Sequence, residues 1–425
     1  MMASTREDQD LGAVTAPARG RLRELLDQPI ATFWILLAAT GALVGIGLMM
    51  VLSASSVFDF TQSGSSFGTA RGQLIALAAT IPLAVVALLL PPAGWRRLAY
   101  LVMFVALGSQ FLPLVPGLGV SAGGNSGWIS LGFTTLQPAE FAKLGLALWL
   151  GFVIGHQRQR LSTWKGFLLP VIGFLGMLGV IMISSEDLGT AMIVVLLGLG
   201  AFFAAGTPLR MLTGMVSVLA AGVLFFVLTS PNRMHRIQSL LVGADDPAHD
   251  PMGTHWQTNH GLFALASGGW TGKGLGASRE KWGWLPAAHN DYIFAIIGEE
   301  LGFIGTLLVV LLFALLAYGM FRLIARSQDM FIKVTTAAVL TWVVGQAAIN
   351  IGVVANLLPV IGVPLPLVSA GGSALMSTCL ALAMVMSFAL HEAGGRAALT
   401  GYLSRARGAV DISARRARKR ESTPS

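Results

Sequence analysis

The sequence has few charged residues and almost no cysteine. Only 11% of its 425 residues are Asp, Glu, Lys or Arg, whereas 54% are hydrophobic. Soluble domains carry about a quarter charged residues, so this chain could not cover a water-exposed surface of its size. The single cysteine, Cys379, excludes an internal disulfide. The composition therefore excludes a soluble enzyme, a disordered chain and a disulfide scaffold, and it predicts an integral membrane protein.

Stretches without charged residues predict where the chain crosses the membrane. A spanning helix needs about 20 residues, and most of the uncharged stretches are 20 to 31 residues long. The 58 uncharged residues between Lys333 and Glu392 accommodate two helices. A further helix, at roughly 138–155, carries Glu140 and Lys143 in its first turns. The expected fold is all-α, with ten transmembrane helices.

The distribution of Lys and Arg predicts the orientation. Most of the 28 basic residues fall on the side that holds both tails, which marks the cytoplasmic side. We expect a cytoplasmic N-terminal tail (1–30), a membrane domain (31–393) and a basic cytoplasmic C-terminal tail (394–425). The tail charge fits anionic lipid headgroups and not nucleic acid. A large ordered extracytoplasmic loop (230–289) between spans 7 and 8 is expected to form short helices in the outer membrane interface.

Two polar clusters begin membrane helices at the outer side. Gln137 precedes Glu140 and Lys143, which lie three residues apart and share one helix face. They could form an internal ion pair, or the lysine could face an anionic ligand, and the sequence does not decide between these alternatives. Asp187, in a short turn next to Glu186, is expected to cap the following helix, which does not exclude a role in a site.

Two further clusters follow the long loop. His289 and Asp291 precede Glu299 and Glu300 where the chain re-enters the membrane. An acid at a helix start is most simply an N-cap, but ionisable groups inside a membrane are functional candidates. Residues 358–373 contain three prolines and three glycines, which exclude a regular helix. Non-helical backbone at membrane depth indicates a segment that lines a site or a cavity.

In order and spacing, these clusters resemble the SEDS family of cell-wall polymerases over nearly the whole membrane domain. The matching motifs are Gln-Pro-Ala-Glu with a following Lys (137–143), Asp-Leu-Gly-Thr-Ala (187–191), Ala-His-Asn-Asp-Tyr-Ile-Phe (288–294), Gly-Glu-Glu-Leu-Gly (298–302) and the Leu-Pro to Gly-Gly-Ser block (358–373). Within the family the motifs are most similar to the division branch, with the elongation branch as the alternative. The chain departs from the pattern before Trp128, where many relatives carry a basic residue.

The resemblance implies polymerisation of lipid II into peptidoglycan strands at the outer face of the plasma membrane. It implies that Asp291 is the general base or a ligand of Mg²⁺ or Mn²⁺. Lys143 would stabilise the pyrophosphate leaving group, directly or through Glu140. The residues expected to order the site or bind substrate are Trp128, Gln137, Asp187, His289, Glu299, Glu300, Ser369, Gly371 and Gly372.

The resemblance also implies partners. These are a class B penicillin-binding protein with transpeptidase activity, other proteins of the division machinery, and membrane lipids. Two other classes of function stay open. A lipid II translocator would also have many spans and broken helices, and a non-catalytic scaffold would only recruit the transpeptidase. The concentration of polar clusters at one surface, rather than at the midplane, favours the polymerase.

Overall fold

A computed structural model of the chain is mostly helical. Most of the predicted N-terminal tail, the whole predicted C-terminal tail, Glu186 and most of residues 230–254 lie outside the part that the structure describes, so predictions about them stay predictions. The described residues are 28, 30–122, 125–130, 132, 135–157, 160–185, 187–229, 234 and 255–392.

The described residues form eleven α-helices that run back and forth along a bundle. They are α1 (Ala31–Ser63), α2 (Gly68–Leu89), α3 (Pro92–Ser109), α4 (Pro138–His156), α5 (Trp164–Ser185), α6 (Leu188–Ala204), α7 (Leu209–Leu228), α8 (Trp256–Gly268), α9 (Ile293–Arg326), α10 (Met330–Val354) and α11 (Gly372–Leu390).

Eight of these helices are long and apolar enough to cross a membrane. The apolar parts of α6 and α7 are shorter, and they lie where spans six and seven are predicted. Multiple membrane helices are thus supported, whereas the number ten and the orientation stay predictions. Helix α8 is an additional short helix within the predicted extracytoplasmic loop.

The expectation of an all-α fold is wrong for the segment between α3 and α4. Here β1 (Gly119–Ala122), β2 (Asn125–Ser130) and β3 (Thr135–Leu136) form an antiparallel sheet in the order β1-β2-β3. Val120 pairs with Trp128, and such β-branched and aromatic residues favour strands. A count of charge-free stretches finds helices long enough to span, and it cannot detect strands this short.

The centre of the bundle contains α4, α10 and α11. In the most apolar 18-residue stretch of each helix, 83% of the residues of α4, 78% of those of α11 and 56% of those of α10 are buried. For the other candidate spans this share is 39% or less. The C-terminal end of α10 and the N-terminal ends of α4, α6, α9 and α11 lie together, and we call this the site end of the bundle. Residues 355–371, which connect α10 to α11 without forming a helix, are called the broken segment.

Helix α9 is interrupted near the site end. Gly302 has a φ of +68°, which breaks the helix. The loop after α8 covers the break, because the amides of Lys273 and Gly274 donate to the carbonyls of Glu299 and Glu300 at 2.9 and 3.0 Å. Carbonyls of the same loop accept from the two amides that follow Gly302. The loop therefore replaces the hydrogen bonds that the break removes, as a membrane interior requires.

We predict that Gly302→Ala destabilises the protein by at least about 2 kcal/mol, because the left-handed conformation is strained for alanine. A Cβ atom at this position would also lie 2.3 Å from the backbone nitrogen of Gly272. The measurement is thermal unfolding in detergent. Gly179→Ala in α5 is the control, since a Cβ there would have no neighbour within 4 Å. Equal melting temperatures for the two variants would contradict the prediction.

Candidate functional site

Three consecutive backbone carbonyls immediately before α9 accept hydrogen bonds. Two of the donors belong to the broken segment and the third is on α10. Because three successive peptide groups are held, the backbone is fixed on both sides of Asp291. The pairs are Ala370 N to His289 O (3.0 Å), Ser369 Oγ to Asn290 O (2.7 Å) and Asn350 Nδ2 to Asp291 O (2.7 Å).

Asp291 is not the N-cap of α9. Tyr292 occupies the N-cap position, and it makes no side-chain capping hydrogen bond. The simple capping explanation for Asp291 is therefore wrong. Its carboxylate lies against the broken segment, because a Cβ added to Gly362 would be 3.6 Å from Asp291 Oδ2.

Asn350 is a site residue that the sequence motifs do not include. Its Nδ2 also donates to the carbonyl of Val363 at 2.7 Å. Both partners are carbonyl oxygens, so the amide nitrogen must be the atom that faces them. The opposite atom, Oδ1, is buried and has no hydrogen-bond partner among the residues that the structure describes. A buried acceptor next to Asp291 can thus receive an additional donor or a cation.

Lys143 and Glu140 form the internal ion pair that was one of the two predicted alternatives. Lys143 Nζ lies 2.8 Å from Glu140 Oε1 and donates to Gln346 Oε1 at 3.2 Å. It also lies 4.9 Å from the centre of the Trp342 ring, a cation–π contact. The lysine is only 1% exposed. In this conformation the ammonium group is enclosed and does not face an open surface.

The predicted residues Gln137 and Asp187 lie beside this ion pair. Gln137 Nε2 donates to Asp187 Oδ2 at 3.3 Å, which joins the start of α4 to the start of α6. Asp187 accepts from the backbone N of Thr190 at 3.0 Å, so its predicted capping role is confirmed. On the other side, Ser377 Oγ of α11 donates to Glu140 Oε2 at 3.2 Å.

Gln73 on α2 is a second residue outside the predicted set. This side chain is 4% exposed, and both polar atoms of its amide group make hydrogen bonds to the end of the broken segment. Its Nε2 donates to Ser369 O at 3.3 Å, and its Oε1 accepts from Gly371 N at 3.1 Å. Gly372 follows, and a Cβ there would lie 3.2 Å from that of Ala76. Gly372 therefore permits close approach of α2 to α11.

Glu299 and Glu300 anchor the loop after α8. Lys273 Nζ lies 2.8 Å from Glu299 Oε1, and Lys281 Nζ lies 2.9 Å from Glu300 Oε1. Ser53 of α1 donates to the Glu300 carboxylate at 2.7 Å. The structure thus uses both glutamates to fix this loop to α9 and α1. Their part in substrate binding stays a prediction.

Trp128 and His289 lie at the margins of the site. Trp128 is half-buried in β2, and the described hydrogen bonds do not link its side chain to the other predicted residues. The His289 ring packs 5.2 Å from that of Phe58. Burial lowers the pKa of His289, and the negative charge of Asp59 opposes this shift. The net shift therefore favours the neutral imidazole of His289.

The comparison with known proteins decides the family. The sequence profile of the FtsW, RodA and SpoVE family, described as "Cell cycle protein", matches residues 33–394. The chain belongs to the FtsW/RodA/SpoVE family. This result confirms the SEDS resemblance that the motifs predicted. Most of the predicted site residues described above, among them Lys143, Asp187 and Asp291, belong to the motifs on which that resemblance rests.

The similar family members include proteins named "Probable peptidoglycan glycosyltransferase FtsW". The one from Mycobacterium tuberculosis is 35% identical over 91% of this chain and 73% of its own length. That from Halorhodospira halophila is 36% identical over 91% of this chain and 97% of its own. Stage V sporulation protein E of Bacillus subtilis is 32% identical over 84% and 97% of the two chains.

Two solved structures share the fold. One comes from work on the "Structural coordination of polymerization and crosslinking by a peptidoglycan synthase complex". It has a TM-score of 0.67 and 26% identity over 84% of this chain and 98% of that chain. The other is the Rod shape determining protein RodA of Thermus thermophilus, with a TM-score of 0.61 and 25% identity over 84% and 97% of the two chains.

We predict that Lys143→Met destabilises this SEDS protein by about 3–5 kcal/mol, because it leaves the Glu140 charge buried without its partner. The double variant Glu140→Gln/Lys143→Met should recover part of the loss. Thermal unfolding in detergent measures both. Arg326→Met is the control, since it breaks a pair with Glu392 that is 40% and 15% exposed and should cost about 1 kcal/mol or less. Similar losses in Lys143→Met and Arg326→Met would refute the prediction.

Proposed function

We propose that the protein is a peptidoglycan glycosyltransferase that polymerises lipid II and releases undecaprenyl pyrophosphate. Membership of the family supports this activity, as do the names of its FtsW relatives. The site end would face the outside of the plasma membrane, because the excess of Lys and Arg assigns both tails to the cytoplasm. The FtsW-named relatives favour septal synthesis during cell division, with cell elongation, as in RodA, as the alternative.

The reaction joins two lipid-linked sugars. The 4-hydroxyl oxygen of an acceptor GlcNAc attacks the anomeric carbon of a donor MurNAc. The bond from that carbon to the pyrophosphate oxygen breaks, and the α-linkage becomes a β-linkage. The hydroxyl proton passes to the carboxylate of Asp291, which acts as the general base. The observation that carries this assignment is the trio of held carbonyls at 289–291, because a base is effective only when it is fixed relative to the reacting atoms.

Lys143 would assist departure of the pyrophosphate. Its ammonium is enclosed by Glu140, Gln346 and the Trp342 ring. A direct contact between Lys143 and the pyrophosphate would require these partners to separate. An indirect effect through Glu140, which joins α4 to α11, needs no such rearrangement. The enclosed ion pair therefore supports the indirect route. Gln137 and Asp187 would keep the starts of α4 and α6 in register beside it.

The residues at the site fit a divalent cation that is shared with the substrate. The described residues contain no group of three or more His, Cys, Asp or Glu side chains that could hold a metal by themselves. In the alternative role of Asp291 as a metal ligand, its carboxylate and the unpartnered Oδ1 of Asn350 would supply hard oxygen ligands. Mg²⁺ commonly uses one or two carboxylates and takes its other ligands from phosphates and water. A bound Mg²⁺ or Mn²⁺ would supply positive charge for the departing pyrophosphate.

A transpeptidase of the class B penicillin-binding protein type is the proposed partner. The similarity to a chain from a peptidoglycan synthase complex supports this proposal, since that complex coordinates polymerisation with crosslinking. Other division proteins and membrane lipids complete the expected set. A translocator is the weaker alternative, because the broken segment and the break in α9 both lie toward one end of the bundle, whereas transporters usually bind substrate near the midplane.

We predict that Asp291→Asn lowers the rate of glycan-strand synthesis at least about 100-fold, because it removes the base and preserves the side-chain volume. Strand synthesis is measured with fluorescent lipid II in the presence of Mg²⁺ and the transpeptidase. Asp329→Asn is the matched control at the opposite end of the bundle, where Asp329 caps α10, and asparagine can also cap a helix. Synthesis at the wild-type rate by folded Asp291→Asn would refute the assignment. Movement of lipid II between leaflets without product would indicate a translocator.

A further inference from the structure

Two side-chain amides on α10 face the broken segment from one side. Gln346 and Asn350 are four residues apart, so they lie on the same helix face, one turn from each other. They are 2% and 1% exposed. Neither residue carries a charge, and neither belongs to the motifs that carry the family resemblance.

The two amides hold neighbouring peptide groups of the broken segment. Asn350 Nδ2 donates to Val363 O at 2.7 Å, and Gln346 Nε2 donates to Pro364 O at 2.9 Å. These carbonyls lie outside any helix. Buried carbonyls need a donor, and the two amides supply it. This contact alone would be a structural role, of the kind that any non-helical backbone in a membrane bundle needs.

Each amide also contacts one of the two residues to which the proposed reaction gives a role, Lys143 or Asp291. Gln346 Oε1 accepts from Lys143 Nζ at 3.2 Å. Asn350 Nδ2 donates to Asp291 O at 2.7 Å. Neither of these two hydrogen bonds involves the broken segment, so they are not needed to support it. They connect Lys143, on α4, to Asp291, before α9, through one helical turn of α10.

We propose that Gln346 and Asn350 form a bracket that sets the position of Asp291 relative to Lys143. The bracket consists of the two amides and the two neighbouring carbonyls that they hold, Val363 O by Asn350 and Pro364 O by Gln346. Gln346 and the Nδ2 group of Asn350 act by positioning, separately from the Asn350 Oδ1 that could bind a cation, and this role rests on the proposed glycosyl transfer. Because the two carbonyls belong to adjacent residues, displacement of one amide moves both carbonyls, and its loss therefore disturbs both Asp291 and Lys143.

The kinetic test compares Gln346→Ala, Asn350→Ala and the double variant in synthesis of glycan strands from lipid II. Each single variant is expected to lower kcat about tenfold or more and to leave KM within about twofold, because small misplacement of catalytic groups slows the chemical step. The double variant should lose no more than the worse single variant, since both substitutions release the same element. Wild-type kcat in either folded single variant, or losses that multiply in the double variant, would overturn the proposal.

Gln110→Ala is the matched control. Gln110, the residue that follows α3, is also 1% exposed, but its Nε2 donates to the carbonyl of Ala106 in α3. This variant removes a buried amide of equal size without touching the bracket, and its kcat should equal that of the wild type. Should an alanine variant fail to fold, Asn350→Asp and Gln346→Glu keep the side-chain volume and remove the N–H donors. The same loss of kcat is expected for both.

Hydrogen exchange provides a test that does not depend on activity. Either alanine substitution should raise amide exchange in two separate segments, 287–292 and 363–369, and Gln110→Ala should raise it in neither. For Gln346→Ala, which directly contacts only the second segment, increased exchange confined to 363–369 would refute the bracket. An inactive wild type would refute the proposed function alone, whereas an active wild type with unimpaired variants would refute only the bracket.

Discussion

A peptide carbonyl that is buried in a membrane protein outside a helix needs a donor from elsewhere in the chain, and this requirement organises the site end of the bundle. The broken segment and the break at Gly302 both expose backbone groups at the same end. Backbone groups of the loop after α8 form hydrogen bonds with the groups that the break leaves without helical partners. The broken segment instead depends on side chains, namely those of Gln73, Gln346 and Asn350. These three amides are therefore first of all hydrogen-bond donors to backbone.

This dependence gives the site its rigidity. The broken segment is held by α2 and α10, and it holds in turn the backbone of His289 and Asn290. Asp291 is consequently presented by a chain whose conformation is determined by two helices distant in sequence. The glutamates of α9 serve a different purpose, since Glu299 and Glu300 fix the covering loop through lysine pairs. Ion pairs thus anchor the loop, whereas neutral amides position the proposed base.

Much of this arrangement could be predicted from the sequence, and the exceptions have a physical cause. Charge-free stretches located the long helices, because charged residues are costly in a bilayer. The same criterion overlooked Gln346 and Asn350, which are uncharged, although two amides four residues apart in an apolar helix are a visible signal. The strands around Trp128 were missed because they contain few residues. The enclosure of Lys143 could not be predicted, since it depends on how α10 packs against α4.

The central claim is that Asp291 and the Lys143–Glu140 pair serve one reaction site around the broken segment. The most direct test is a cryo-EM structure of the protein with lipid II and Mn²⁺ bound. We expect the pyrophosphate to lie beside the broken segment, with the Asp291 carboxylate near the sugar or the cation. A pyrophosphate bound elsewhere, with Asp291 and Lys143 facing separate compartments, would contradict this claim.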